Sequence, residues 1–303
     1  MKLSVILPCF NGAETLAVQL DALTRQQTRH AWEVVVVNNG STDDSMSIVA
    51  RYEGRLPGLR VVEAYGNEGP RQGVTHSYAV GFAAAQGDAF LLCEADDEVG
   101  EGWLSTLGDA LLEHELVAAA LEYDHLNPDH VRPKEWKQQS VEAGLSTISG
   151  PTFWPYASGC SLGLCRSVYE RLGAPDARCA ASWDTDYCWR ARLAGIALTF
   201  VPAATVHYRM RTTLKGAYKQ GRNWGAGHAV LYNKYAAPLP SRLAVIKREL
   251  RYARDLAKHV IELPGVVVRK QPLNGWLWNL GWRVATLEGG KLHWQALTQS
   301  SAR

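Results

Sequence analysis

The chain has 303 residues, 47% hydrophobic and 20% charged, enough for a substantial core in one large domain or two smaller ones and too apolar for disorder except at the ends. The formal charge of +2 conceals an asymmetry: from Ser241 onward 11 Lys and Arg face 4 Asp and Glu, while the remainder holds 21 against 26, so the last quarter is the basic part. No run of eighteen apolar residues occurs, and no transmembrane span is expected.

The N-terminus "MKLSVILPCFNG" has too short an apolar stretch for a signal peptide and predicts an opening strand broken by Pro8. The short apolar runs "LSVIL", "EVVVV", "LRVVEA" and "AFLLC" predict strands buried on both faces, separated by segments with helical spacing. A first helix is expected from near Ala13, a second just after "STDDS", where Ser and Asp can cap free amides, and a third over about 72–86, ending at Gly87. Residues 125–160, with several prolines, glycines and aromatics and no clean period, predict mostly loop at the rim of the sheet. "ALTFVP" predicts a later strand, and from about Leu214 the pattern turns helical. The tail from Ser241 mixes basic residues with Trp276, Trp278, Trp282 and Trp294. The six cysteines, Cys9, Cys93, Cys160, Cys165, Cys179 and Cys188, form no CxxC pair, and their apolar contexts favour buried free thiols and a reducing cytoplasm.

Strands alternating with helices imply an α/β fold with a parallel sheet covered by helices, and ligands of such sheets bind beyond the carboxyl ends of the strands. Four polar clusters fall there: "PCFNG", "NNGSTD", "GNEGPRQG" and "EADD". A parallel sheet gathers Asn11, Asn38, Asp43, Arg71 and Asp96 along one edge. Neither a dinucleotide glycine fingerprint nor a P-loop is present, so a diphosphate needs another neutraliser, and a divalent cation held by "EADD" can supply one. Taken alone, "EADD" fits a solvated turn at a strand end better than a cation site.

"LSVILPCFNGAETL", "VVVVNNGSTDDS", "LLCEADDEV" and "WDTDYCWRARLAG", in this order, resemble the family 2 glycosyltransferases over roughly residues 1–225. The resemblance implies the GT-A fold, an α/β nucleotide-diphospho-sugar transferase fold with a mostly parallel central sheet flanked by helices. It implies a catalytic domain over 1–225, with a nucleotide-sugar half over about 1–100 and an acceptor half over about 101–225. Residues 226–303 form a basic, Trp-containing helical C-terminal region. The implied reaction is non-processive transfer of a sugar from a nucleoside diphosphate-sugar of UDP, GDP or dTDP type to a hydroxyl of a glycan or lipid-linked acceptor, with inversion, as in polysaccharide and cell-envelope synthesis.

By the same resemblance Asp96 holds a divalent cation, Mn²⁺ or Mg²⁺, with Glu94 near the ribose or metal, Asp97 as a second ligand or a cap, and His207 near the metal or diphosphate. Pro8, Phe10, Asn11 and Glu14 match the first nucleotide-binding segment, Asn38 and Asp43 the second and Arg71 the third, with Phe10 able to stack on the base. Asp184 is the implied general base, and Asp186, two residues on, the lesser candidate. The chain departs from the family pattern at Glu94 and Asn38, where Asp is usual, at "SYAVG" (77–81), which lacks an Arg-Asn pair, and at Trp183, which replaces an acid before Asp184. These departures keep a second reading in view, a nucleotide-sugar-binding or scaffold protein with impaired chemistry.

"QGRNW" (220–224) lies near the place of a processive motif, with its Arg one position early. No nucleic-acid partner is expected. The tail admits two readings, a peripheral membrane surface at the inner face of the membrane and a helical pair packed on the catalytic domain.

Overall fold

The computed structural model describes residues 1–66, 71–129, 131, 137–148, 154–235 and 241–300, with residues 242 and 290–300 given by their backbone alone. The all-apolar runs become the centre of a sheet: Leu3, Val5, Ile6 and Leu7 in β1 (Lys2–Cys9) and residues 34–37 in β2 (Ala31–Asn38) are fully buried. The further strands are β3 (Arg60–Glu63), β4 (Ala89–Leu92), β5 (Glu98–Val99), β6 (Leu116–Glu122), β7 (Leu162–Cys165) and β8 (Leu198–His207). They form one sheet in the order β3-β2-β1-β4-β7-β6-β8-β5. β3, β2, β1 and β4 run parallel, as do β6 and β8; β7 lies antiparallel between β4 and β6, and β5 antiparallel to β8.

The helices are α1 (Leu16–Thr24), α2 (Ser45–Ala50), α3 (Val74–Ala84), α4 (Trp103–Ala110), α5 (Arg166–Leu172), α6 (Trp183–Leu193), α7 (Leu214–Tyr235), α8 (Arg242–Ile261), α9 (Leu263–Val268) and α10 (Leu273–Ser300). The expected mixed α/β architecture with a helical C-terminal region is the one observed, and the differences are local. The first helix starts at Leu16 rather than Ala13, because the Gly12 and Ala13 amides are held by Ser45 Oγ (2.8 Å) and Asp43 Oδ2 (3.0 Å). The third ends at Ala84, where Ala85 turns extended and the Gln86 amide donates to Glu33 Oε1 (2.6 Å). Strands β6 and β7 escape the sequence reading: "LVAAALE" lacks β-branched bulk, "LGLC" is four residues long, and both are strands because the sheet surrounds them. The described part of 125–160 is turn and loop with a bridge between Ser146 and Tyr156 until a short 3-10 helix opens at Gly159–Ser161, and residues 130, 132–136 and 149–153 of that expected loop lie outside the described residues.

The backbone packing divides the chain into two compact units, the first containing the whole sheet with α1–α6 and the second containing α7–α10. In the second, α7 and α10 approach closely at glycines. A Cβ on Gly221 would stand 1.9 Å from the Trp278 carbonyl oxygen. The "QGRNW" stretch therefore serves helix packing here, with Arg222 paired to Glu288 (2.6 Å). Trp276 stacks on His259 with ring centroids 4.9 Å apart, and Trp278 stacks on Trp282 at 5.4 Å. The side chain of Trp294 lies outside the described residues. Among the described residues no helix is long and apolar enough to cross a membrane.

Candidate active site

The parallel register places the ends of β1, β2, β3 and β4 side by side, with Cys9 opposite Asn38 and Asn38 opposite Glu63. The first two loops beyond that edge are knotted together. Asn11 takes a left-handed backbone (φ 48°), which Asn tolerates better than most residues, and its Oδ1 accepts from the Thr42 amide (2.8 Å). Its own amide donates to Ser41 Oγ (3.2 Å). Asp43 accepts from the amides of Ala13 (3.0 Å) and Ser45 (3.1 Å) and from Ser45 Oγ, and these bonds hold its carboxyl below the ordinary range. Asn38 donates to Glu63 (2.9 and 3.1 Å) and accepts from the Ser41 amide (2.9 Å). Asn38 and Asp43, expected at the donor nucleotide, are thus already engaged in shaping the loops. Sequence reading passed over Glu63, whose only signal is an acid at the end of a short strand.

Pro8 is buried at the end of β1, and Glu14 is exposed in the turn before α1. Phe10 is 40% exposed, with the Arg71 guanidinium carbon 3.1 Å from its ring centroid. Phe10 and Arg71 therefore meet across the first and third segments in a cation–π contact. Residues 67–70 of "GNEGPRQG" lie outside the described residues.

Beyond β4 the acid loop is held at several points. Gln19, buried in α1, donates to the Glu94 carbonyl (3.2 Å) and accepts from the Val99 amide (2.8 Å), and Thr15 donates to the Ala95 carbonyl (2.9 Å). From the far side Arg209 donates through Nε to the Asp96 carbonyl (2.7 Å) and through its amide to Asp97 Oδ1 (2.8 Å). The carboxylates of Glu94, Asp96 and Asp97 offer oxygens that lie within 4.8 Å of one another. Asp97 is 1% exposed, and its Oδ2 is buried with no nitrogen or oxygen partner among the described residues. Burial first, and then the charges of Asp96 and Glu94, hold its carboxyl well above the ordinary range. With the Cys160 thiol as its neighbour, a buried carboxylate oxygen that has no nitrogen or oxygen donor among the described residues, beside two further acids, fits an oxygen-ligated divalent cation. A second group, Asp176, Cys179 and Asp186, is also close-set, but arginines neutralise it: Arg178 bonds Asp176 (2.7 Å) and Arg190 bonds Asp186 (3.0 Å).

Asp184 stands half-buried in the first turn of α6. Its Oδ2 accepts from the Gly159 amide (3.0 Å) and its Oδ1 from the Thr185 amide (2.7 Å). Burial raises its pKa above the ordinary carboxyl value against these two bonds, which makes it a stronger base. Trp183, the residue in place of an acid, is buried against Tyr78 at a centroid distance of 4.6 Å. Tyr78 occupies the Arg position of the pattern that "SYAVG" lacks, so two departures 105 residues apart in sequence are one aromatic contact in space. Tyr78 is fully buried, and its hydroxyl donates to the Cys93 carbonyl (3.4 Å), just before Glu94.

Gly159 lies flat on the Trp183 ring, where an added Cβ would stand 2.4 Å from Cζ2. Gly159→Ala is expected to displace the indole and draw the amide off Asp184. The cost should be about 1–3 kcal/mol of stability, with a fall in turnover larger than that in donor affinity. Melting curves and steady-state kinetics check this, and unchanged kinetics would remove Gly159 from the site.

His207 ends β8 with Nδ1 donating to Glu122 Oε2 (2.7 Å), and its ring lies 4.4 Å from that of His125. Although burial opposes it, bonds from His207 and from the amides of Asp124 and His125 keep the Glu122 carboxyl below its usual range. The structure brings together Glu94, Asp96 and Asp97 and leaves the imidazole of His207 outside that group, on Glu122. Sequence reading missed Glu122, Gln19 and Gly159. Each acts through a partner distant in sequence, and only Gly159, in "PYASGC", lay in a stretch already noted.

Residues 4–173 match the family described as Glycosyl transferase family 2. Over 123 residues the chain is 31% identical to the uncharacterized glycosyltransferase YibD of Escherichia coli (strain K12), covering 41% of this chain and 34% of that protein. Over 146 residues it is 28% identical to the poly(ribitol-phosphate) beta-N-acetylglucosaminyltransferase TarS of Staphylococcus aureus (strain Mu50 / ATCC 700699), covering 48% of this chain and 25% of that one. The chain thus spans about a third or less of these curated relatives. Among solved structures, the mannosyltransferase PcManGT from Pyrobaculum calidifontis in complex with GDP-Man and Mn2+ superposes with a TM-score of 0.63 at 18% identity, covering 96% of this chain and 86% of that one. S. aureus TarS 1–349 in complex with UDP gives 0.52 at 17%, covering 98% and 92%. At these identities the likeness is one of fold.

Proposed function

Because the chain belongs to glycosyl transferase family 2, we propose that it moves a sugar from a nucleoside diphosphate-sugar to a hydroxyl of a glycan or lipid-linked acceptor, in one displacement with inversion at the anomeric carbon. The observation that carries this reading is the half-buried Asp184 carboxylate, fixed by two backbone amides in the same compact unit as the converging acids Glu94, Asp96 and Asp97. In this reading residues 1–225 are the catalytic domain, about 1–100 serving the donor and 101–225 the acceptor, and 226–303 are a helical extension. The reaction runs in the cytoplasm.

Asp184 takes the proton of the acceptor hydroxyl as its oxygen bonds to the anomeric carbon. The bond from that carbon to the phosphate oxygen breaks, and its electron pair leaves with the diphosphate. Burial favours the protonated product form of Asp184, and the Gly159 and Thr185 amides keep its oxygens oriented throughout. Asp96 and Asp97, with Glu94 beside them, would hold Mn²⁺ or Mg²⁺, which when bound neutralises the diphosphate and stabilises the charge that gathers on it. With Nδ1 on Glu122, His207 keeps Nε2 for a cation or phosphate. Pro8, Phe10, Asn11, Glu14, Asn38, Asp43 and Arg71 border the donor nucleotide, with Phe10 and Arg71 offering a flat cationic face. The complexes of PcManGT with GDP-Man and Mn2+ and of TarS with UDP support a donor of this class.

The test is a thermal-shift series with UDP-, GDP- and dTDP-sugars, with and without Mn²⁺. One donor class is expected to raise the melting temperature, and only in the presence of the cation, since a ligand of the folded form alone stabilises it. No shift with any donor would overturn the reading, and an equal shift without cation would remove the metal from it.

A further inference from the structure

The second unit carries a surface that its own packing does not use. Helix α8 packs inward through Val245, Arg248 and His259, which are 1%, 6% and 7% exposed. At 3.6 residues per turn a different stripe faces outward: Leu243, Ile246, Leu250 and Ile261 are 59%, 42%, 64% and 75% exposed. From Leu243 to Ile261 it runs about 27 Å along the helix, interrupted between Leu250 and Ile261 by the exposed Arg254 and Ala257, and α9 adds Val268, 80% exposed. Such a concentration of aliphatic side chains in water marks a surface that meets something apolar.

The charges beside it identify the partner. Lys247, Arg251 and Lys258 are exposed along one flank of the stripe. Of the acids, Glu249 is held by Arg248 (2.8 Å) and Asp255 by Arg254 (3.4 Å), which leaves the exposed Glu262, 3.7 Å from His259, beside these cations. Arg269 and Lys270 stand exposed where α9 ends. An aliphatic stripe edged by cations on an amphipathic helix complements the interface of an anionic bilayer, where the side chains sink to the acyl boundary and the cations remain at the phosphates. We infer that α8 and α9 seat this chain on an anionic lipid surface through the Leu243–Ile261 stripe. Of the tryptophans, which the sequence suggested for this role, the three described ones are engaged within the unit: Trp276 donates to the His259 carbonyl (3.1 Å), and Trp278 and Trp282 stack on each other. The inference does not depend on the transferase reading.

Flotation of the full chain with vesicles of phosphatidylcholine, alone or mixed with phosphatidylglycerol, tests it. The chain is expected to float with the mixed vesicles and to remain behind with phosphatidylcholine alone. Leu250→Ser/Ile261→Ser should weaken that partition by at least about tenfold, and Lys247→Glu/Lys258→Glu by a similar factor that shrinks at high salt. All four residues are exposed, so circular dichroism and melting should match the parent, and the donor-induced thermal shift should be kept. A parent that floats with neither vesicle, or a stripe variant that floats as the parent does, would overturn the inference. So would a parent dimer that Leu250→Ser/Ile261→Ser splits into monomers while nothing floats, since a second copy would then be the occupant.

Discussion

Asp184→Asn lowers sugar transfer by roughly 10²- to 10⁴-fold, the span usual for a positioned general base, and leaves donor affinity essentially unchanged. The amide keeps an acceptor for one of the two backbone amides at this site and loses the other, so a stability cost of about 1–3 kcal/mol accompanies the kinetic effect. Donor titration by calorimetry and single-turnover kinetics separate the two. The pH profile gives an independent check. Transfer needs the ionised carboxylate, and burial raises the Asp184 pKa, so activity should fall as pH drops through a value above the ordinary carboxyl range. An Asn variant that turns over like the parent, with the same acid limb, would assign the base elsewhere.

Asp96→Ala is expected to reduce cation-dependent donor affinity and transfer by roughly 10²-fold or more. Arg209 Nε bonds the Asp96 carbonyl, and alanine keeps that bond. The loop should therefore hold its shape while losing a ligand oxygen. Titrating Mn²⁺ against the thermal shift of parent and variant reads the effect directly. Equal cation responses in the two proteins would exclude Asp96 as a ligand.

Much of this fold was legible because its central strands are unbroken apolar runs, which suit strands buried on both faces. "LSVIL", "EVVVV", "LRVVEA" and "AFLLC" all became strands of one parallel set, but the expected burial on both faces fails for "LRVVEA", which forms the edge strand β3 with Val61 43% exposed. β6 and β7 were not legible, since an alanine-rich run and a four-residue segment carry no local signal, and the sheet around them decides their state. In the candidate site, the convergence of Glu94, Asp96 and Asp97 followed from their spacing. The loop ties of Asn38 and Asp43 were not legible, because each side chain meets a partner that sequence alone does not place. Trp183 and "SYAVG" looked like two separate losses, and only their contact shows one exchange of polar for aromatic packing.

The ties among Asn11, Ser41, Thr42, Asp43 and Ser45 also bear on recognition. The first two loops acquire their order when the chain folds, so a ligand that reaches them immobilises little further backbone. Affinity there reflects contacts made rather than freedom lost. Association should accordingly be fast and close to rigid-body in character, with little change in amide-exchange protection at residues 11–13 and 41–45.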